Sequence, residues 1–130
     1  MVIDTSALIA ILRAEEDADR YASAIAESIR CRFSIASYVE AGAVIDRARD
    51  PVASRRLDDL LNAASVILEP VTVEQGKVAR LAYQDFGKGG GHPAQLNFED
   101  CFSYALAKTT GEPLLFKGDD FIHTDIVPAI

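Results

Sequence analysis

The stretch Met1–Leu12, MVIDTSALIAIL, decides how the rest of the chain is read. Met1 to Ile3 is a short apolar, partly β-branched run with the character of a buried strand, and the residues from Ser6 onward read as a helix. Asp4 falls at the junction and has two readings. In one, Asp4, Thr5 or Ser6 caps the following helix, whose first backbone N–H groups lack partners. In the other, Asp4 is one of several carboxylates gathered at the carboxyl edge of a parallel sheet, where open α/β folds build their sites.

The remaining chain alternates as a parallel sheet requires. Short apolar runs at Val2-Ile3, Arg32–Ile35, Val66–Leu68, Leu114–Phe116 and Ile126-Val127 are separated by amphipathic stretches. DADRYASAIAESI sets Ala18, Tyr21, Ala22, Ile25 and Ile29 on one helical face. YVEAGAVIDRAR and PVASRRLDDLLNAA give two further helices divided at Asp50-Pro51, where proline suits a first turn. VEQGKVARLAYQDF and NFEDCFSYALAKTTG complete the set, the last closing at Gly111. The expected fold class is α/β, with one domain over residues 1–130 and a mostly parallel central sheet of about 4–5 strands sandwiched by helices. The glycine-rich segment Gly87–Gln95 reads as a mobile surface connector. It lacks the Gly-Lys-Ser/Thr of a phosphate-binding loop, and Lys88 and His92 are the groups on it with a chemistry suited to touching a phosphate.

Composition narrows the function classes. A chain of 130 residues that is 49% hydrophobic and 25% charged has the material for a sizeable core. Its apolar runs are well short of the ~18 residues a membrane span needs, and the amino terminus carries no basic leader, so the expected location is the cytoplasm. Cys31 and Cys101 match no metal-ligand spacing and read as reduced, mostly buried thiols. The net charge of −7 argues against a broad basic face for nucleic acid. It does not exclude a nuclease, because a cation held by clustered acids reverses the local field. It also suits a partner that presents arginines.

Three further sets of acids occupy positions like that of Asp4. Glu40 in SIASYVEAG lies in the first turn of a helix after a strand, Asp100 in LNFEDCFSYALA opens another helix, and Asp119 and Asp120 directly follow the fourth apolar run. Ser37–Glu40 and Asn97–Asp100 also have the form of capping boxes, and acids in first turns are favoured by the helix dipole without any function. Caps do not explain why an acid follows three separate strands. Carboxylates brought together repel one another unless a cation is present. Oxygen ligands without His or Cys favour Mg²⁺ or Mn²⁺ over zinc, and such ions activate water against a phosphodiester.

With MVIDTSALIAIL, SIASYVEA, LNFEDCFSYALAK and LLFKGDDFIHTDI quoted together, the chain resembles the PIN-domain ribonucleases over essentially its full length, and more closely the VapC-type toxins of toxin–antitoxin pairs. The resemblance implies a PIN-like sandwich and Mg²⁺-dependent endonuclease activity on RNA, with Mn²⁺ able to substitute. Carried over residue by residue, it places the catalytic acids at Asp4, Glu40, Asp100 and Asp119, with Asp4 and Asp100 as the principal metal ligands. Many PIN domains carry the fourth acid three residues before the phenylalanine. That position is Gly118 here, so Asp120 is the alternative to Asp119. Glu40 is assigned to the attacking water or to completing the metal shell, Asp119 to a second, weaker ion or to waters on the leaving-group side, Thr5 or Ser6 to metal-bound water or phosphate, and Asn97 to a similar polar role. His123 is read as structural, and Lys117 as a phosphate contact or a solvated surface charge.

The resemblance also implies an antitoxin that lays a tail over the site and sends an arginine to the acids, with Tyr21, Ile25, Tyr38, Val39 and Leu57 as candidates for its groove. It implies a homodimer, or a heterotetramer or larger assembly with the antitoxin. A phosphatase of the haloacid-dehalogenase kind needs a second Asp two residues after Asp4, where Ser6 stands, and a receiver domain wants paired acids after the first strand. The remaining alternative is a catalytically silent PIN-like module that binds RNA or protein. The RNA target is expected to be an unpaired loop, as in tRNA, ribosomal or messenger RNA.

Overall fold

Val2 and Ile3 make up the whole of strand β1 (Val2–Ile3), and they point to opposite faces, as successive strand residues must. Each meets a different layer of helices, and that alternation organises the molecule. The computed structural model describes residues 1–130. After β1 the chain forms α1 (Thr5–Leu12), α2 (Ala18–Glu27), β2 (Arg32–Ser34), α3 (Ile35–Asp46), α4 (Pro51–Ala63), β3 (Ile67–Glu69), α5 (Val73–Phe86), α6 (Asp100–Thr110) and β4 (Leu114–Leu115). The four strands are parallel in the order β3-β2-β1-β4.

This order moves outward from β1 through β2 to β3 and then returns past β1 to β4. Right-handed crossovers therefore place α1–α4 on one face and α5 and α6 on the other. The core divides accordingly. Ile3, Phe33 and Leu115 pack with Leu8, Tyr21, Ile25, Ala41, Leu57 and Leu61. Val2 and Leu114 pack with Ala79, Ala82, Leu96, Tyr104, Leu106 and Phe121 on the opposite side. The inner strands are covered on both faces, as parallel sheets require. No helix is long and apolar enough to cross a membrane.

Several expected boundaries move. Ser34 ends β2 and caps α3, its hydroxyl accepting from the Ala36 N–H at 3.3 Å, so the helix starts at Ile35. The expected Ser37–Glu40 capping box does not form. Ser37 is instead buried within α3 and shares a hydrogen bond of 3.3 Å with Ser103 of α6, while Glu40 lies in the second turn. The third strand runs Ile67–Glu69 and sits at the sheet edge. In place of a fifth strand, Leu114 donates to Val127 at 2.9 Å and accepts from Ala129 at 2.8 Å around a single bridge at Pro128, which has no N–H to extend a ladder.

The Gly87–Gln95 segment is not the slack connector expected from its composition. Lys88 donates to Leu96 and Leu96 donates to Phe86, each at 2.9 Å, closing the loop at its base, and Ala94 and Leu96 are fully buried. Gly87 is required there because a Cβ would lie 2.3 Å from the Tyr83 carbonyl. His92 accepts the Ala94 N–H at 3.1 Å and sets its ring edgewise against Phe86, so it serves the loop rather than a phosphate. Both cysteines are buried and unpaired, and burial pushes the Cys101 thiol up to about 11.

Phe33 is fully buried while Ile67 is 40% exposed. Phe33→Ala should cost about 3–5 kcal/mol in a urea titration. Ile67→Ala, at the exposed edge, should cost about 1 kcal/mol or less.

Candidate active site

Parallel strands direct all their carboxyl ends to one edge, and β1 is the point at which the strand order reverses. Asp4 stands at that point, with its N–H on the Leu115 carbonyl at 2.8 Å. Its Oδ2 accepts from the Ser6 N–H at 3.0 Å and from the Ser6 hydroxyl at 2.6 Å. It caps α1 and is also a buried acid at the sheet edge. The capping reading holds, and it occupies only one of the two carboxylate oxygens. Ser6 in turn accepts the Lys117 N–H at 3.0 Å, which ties the residues after β4 to the carboxylate.

Glu40 is held from the same segment. Thr5 donates to its Oε2 at 2.7 Å, and the Thr5 hydroxyl also lies 3.3 Å from the Ser37 carbonyl. Asp100 is fixed by a reciprocal pair in which the Asn97 N–H donates to Asp100 Oδ2 and the Asp100 N–H donates to Asn97 Oδ1, each at 2.8 Å. The expected Asn97–Asp100 box therefore forms. The Thr5 and Ser6 hydroxyls and the Asn97 backbone N–H each hold one carboxylate.

Three acids are thus brought within reach of one another's field. Burial pushes the Asp100 carboxyl up to about 7, helped by Asp4, Asp120 and Glu40 and opposed by the Asn97 N–H. Glu40 is raised as well, mainly by burial and further by Asp4 and Glu99, against the lowering effect of the Thr5 hydroxyl. Of the two acids after β4, it is Asp120 whose charge acts on Asp100. Gly118 has φ +96°, a conformation that side chains rarely adopt, which accounts for an acid standing further along. None of the chain's ion pairs involves Asp4, Glu40 or Asp100.

Other expected contacts resolve differently. The Lys117 ammonium is bound by Glu15 and by Asp17, the latter at 2.7 Å, so it clamps the turn after α1 to the loop after β4 rather than standing as an unpaired surface charge. His123 is exposed rather than built into the structure. Tyr21 and Leu57 belong to the core, and Ile25, though packed in the same core, also lines an apolar cleft on the surface. Tyr38 is half-buried with its hydroxyl on Asp58 at 2.8 Å, and Val39 is 64% exposed. A groove of about 620 Å³ runs beside the acids, lined in part by Val39, Glu40, Arg47, Asn97, Phe98 and Glu99. Arg47, Phe98 and Glu99 were not among the expected site residues. The available signal was the seven-residue spacing of Glu40 and Arg47, two turns along one helix face.

The PIN domain family matches residues 1–127. Ribonuclease VapC28 of Mycobacterium tuberculosis is 57% identical over 130 residues, spanning all of this chain and 98% of that protein. Ribonuclease VapC30 of the same species is 52% identical, with 97% and 95% covered. The chain belongs to the VapC ribonucleases of the PIN-domain family. Among solved structures, a sarcin-ricin loop cleaving toxin, VapC20 of M. tuberculosis, superposes with a TM-score of 0.75 at 18% identity, covering 97% of this chain and 95% of that one. A toxin–antitoxin complex from Klebsiella pneumoniae gives 0.74 at 14% identity, with 99% and 97% covered. These two likenesses show the shared PIN fold.

The donor set of this VapC-family chain suits a hard divalent cation. Asp4, Glu40 and Asp100 each have one oxygen engaged by a Ser, Thr or Asn donor, and the other accepts no hydrogen bond. Those free oxygens stay open to solvent, since no fully buried polar side-chain atom lacks a partner. The carboxylates do not converge three to a point. Mg²⁺ needs only one or two of them, because it keeps much of its water shell.

The raised Asp100 carboxyl has a measurable sign. Between its unfolded value near 4 and about 7, the folded chain binds more protons than the unfolded chain, so stability in EDTA should fall as pH rises through this window and level off above it. The accumulated cost is on the order of 4 kcal/mol. Asp100→Asn keeps the acceptor for the Asn97 N–H and should flatten the profile, raising metal-free stability at pH 8. Chemical denaturation from pH 4 to 8 measures both effects.

Proposed function

We propose that this chain is a divalent-metal-dependent endoribonuclease and the toxin of a toxin–antitoxin pair, hydrolysing RNA phosphodiesters. The observation that carries the reading is the set of uncompensated carboxylates at the strand-order switch, each with one oxygen fixed and one free. A bound Mg²⁺, or Mn²⁺ in its place, would supply an acidified water and neutralise charge on the phosphate.

The chain's own residues divide the remaining work. Asp4 and Asp100 would hold the cation through their free oxygens, with Ser6 and Asn97 fixing the angle of each carboxylate. Glu40, oriented by Thr5, would align the attacking water. Asp120 is favoured as the fourth acid over Asp119 because its field reaches Asp100. The Lys117 clamp and the Lys117–Ser6 bond keep the loop bearing Asp120 registered to Asp4.

The substrate class is an unpaired loop of a structured RNA, such as tRNA or ribosomal RNA, since splayed nucleotides can reach a sheet-edge site that a duplex cannot. One structural neighbour is a sarcin-ricin loop cleaving toxin, which supports a loop substrate. A second is a toxin–antitoxin complex, which supports a protein inhibitor here too. An arginine from such a partner would pair with the surplus carboxylates in the place of the cation. Its tail would use an apolar cleft of about 380 Å³ bordered by Ile11, Ala22, Ala26 and Leu60. A homodimer, and a larger assembly with the antitoxin in the cytoplasm, belong to the same reading.

Purified, antitoxin-free protein should cut total cellular RNA into discrete fragments with Mg²⁺ or Mn²⁺ and not with EDTA. Asp4→Ala should lose cleavage by at least ~100-fold while keeping its fold. Asp120→Asn should lose more activity than Asp119→Asn. A folded protein that cuts nothing under either metal would move the function to a catalytically silent binding module.

A further inference from the structure

Arg32, Lys108 and Lys117 are the chain's ion-paired basic side chains, leaving ten of thirteen Lys and Arg residues without a carboxylate partner. Five of those ten lie at one corner: Arg13 just after α1, Arg47 and Arg49 where α3 turns into α4, and Arg55 and Arg56 in the first half of α4. All five are exposed. Residues 47–56 hold four arginines and one acid, Asp50, whose side chain caps α4 at the Val52 N–H. Asp46, Asp58 and Asp59 flank the corner without pairing to any of the five, and Asp58 accepts from Tyr38 instead.

Favourable placement at a helix carboxyl end would account for Arg47. It does not account for Arg55 and Arg56, which sit toward the positive end of α4. The cavities supply a second line of argument. A cavity of about 210 Å³ is lined by Arg13, Val44 and Arg56, and Val44 also lines the 620 Å³ groove that reaches Glu40 through Arg47. The two cavities adjoin at Val44, so Arg47 shares a groove with Glu40 while Arg13 and Arg56 line the neighbouring one. Glu40 and Arg47 share a face of α3, about 10 Å apart along its axis.

A polyanion entering this site meets a chain of net charge −7 and needs a local positive track. We propose that Arg13, Arg47, Arg49, Arg55 and Arg56 bind the phosphate backbone of the substrate RNA on one side of the scissile bond, with Arg47 nearest the acids, and so set the direction in which the strand crosses the site. This rests on the ribonuclease reading. It adds the binding track that the acidic cluster itself cannot supply. Arg47 lining the same groove as Glu40 favours RNA over an acidic protein, because a strand cut at the acids must leave along a groove.

The test compares the parent with the Arg47→Ala/Arg56→Ala protein, the charge-preserving Arg47→Lys/Arg56→Lys protein, and Arg20→Ala/Arg30→Ala as a control for net charge. Binding of a fluorescently labelled single-stranded RNA of mixed sequence is read in EDTA, where no cleavage is expected, and kcat and KM are read with Mg²⁺. In the alanine pair, affinity should fall about tenfold, and the slope of log K against log salt should shrink by about 1.4 for two lost phosphate contacts. KM should rise by a similar factor with kcat within about twofold. The lysine pair should retain most of the affinity and the control pair should match the parent. Unchanged affinity in the alanine pair overturns the proposal and leaves the arginines to a protein partner, as does an equal loss in the control pair or no RNA binding by the parent. Binding that depends on Arg47 and Arg56 without cleavage under any metal would keep the track and remove the nuclease. Cleavage indifferent to both would do the reverse.

Discussion

Burial of carboxylates without a cationic partner is the constraint around which this molecule is built. Asp4 and Asp100 are less than one-tenth exposed, and neither has a cationic partner. Water would solvate each far better than the protein does. The fold opposes this with rigid neighbours rather than neutralising charge. A serine, a threonine and an asparagine each pin one oxygen of one acid, and the hydrophobic layers hold β1 and α6 together whatever the charge state. Destabilisation stored at a site in this way is a familiar cost of activity.

The apolar economy behind that rigidity is unusually short-ranged. β1 and β4 have two residues each, yet Val2, Ile3, Leu114 and Leu115 are all fully buried and divide evenly between the two cores. Each parallel strand delivers its carboxyl end to the same edge. Asp4 follows β1, Glu40 lies on the α3 helix after β2, and Asp120, whose charge acts on Asp100, lies in the loop after β4. Ion pairs are used for a different purpose. Arg32 joins Glu69 and Glu112 across the strands, and Lys117 joins Glu15 and Asp17 across two loops, holding the frame while the site stays uncompensated.

Much of this was legible in the residues. The strand, acid and helix of MVIDTSALIAIL, the α/β alternation and the Asn97–Asp100 box all appear in the structure as local chemistry dictates. Local chemistry also misled in identifiable ways. Ser37 to Glu40 had the form of a cap, but Ser34, the last residue of the strand, captured the helix start first. The glycines of the Gly87–Gln95 loop suggested slackness, while long-range hydrogen bonds and the burial of Ala94 and Leu96 closed it. Lys117 looked free until Glu15 and Asp17, about a hundred residues earlier, met it.

The sequence by itself determined four of the strands and the helices between them, though not their exact ends, and that acids follow the strands with too few cations beside them, because these follow from periodicity, capping and charge within short windows. Only the tertiary structure decided which oxygen of each acid is engaged, which of Asp119 and Asp120 acts on Asp100, and which apolar residues of the early helices are core. Those outcomes depend on distances between residues far apart in the chain. No pattern of neighbours along a sequence encodes a distance that the folding of three layers creates.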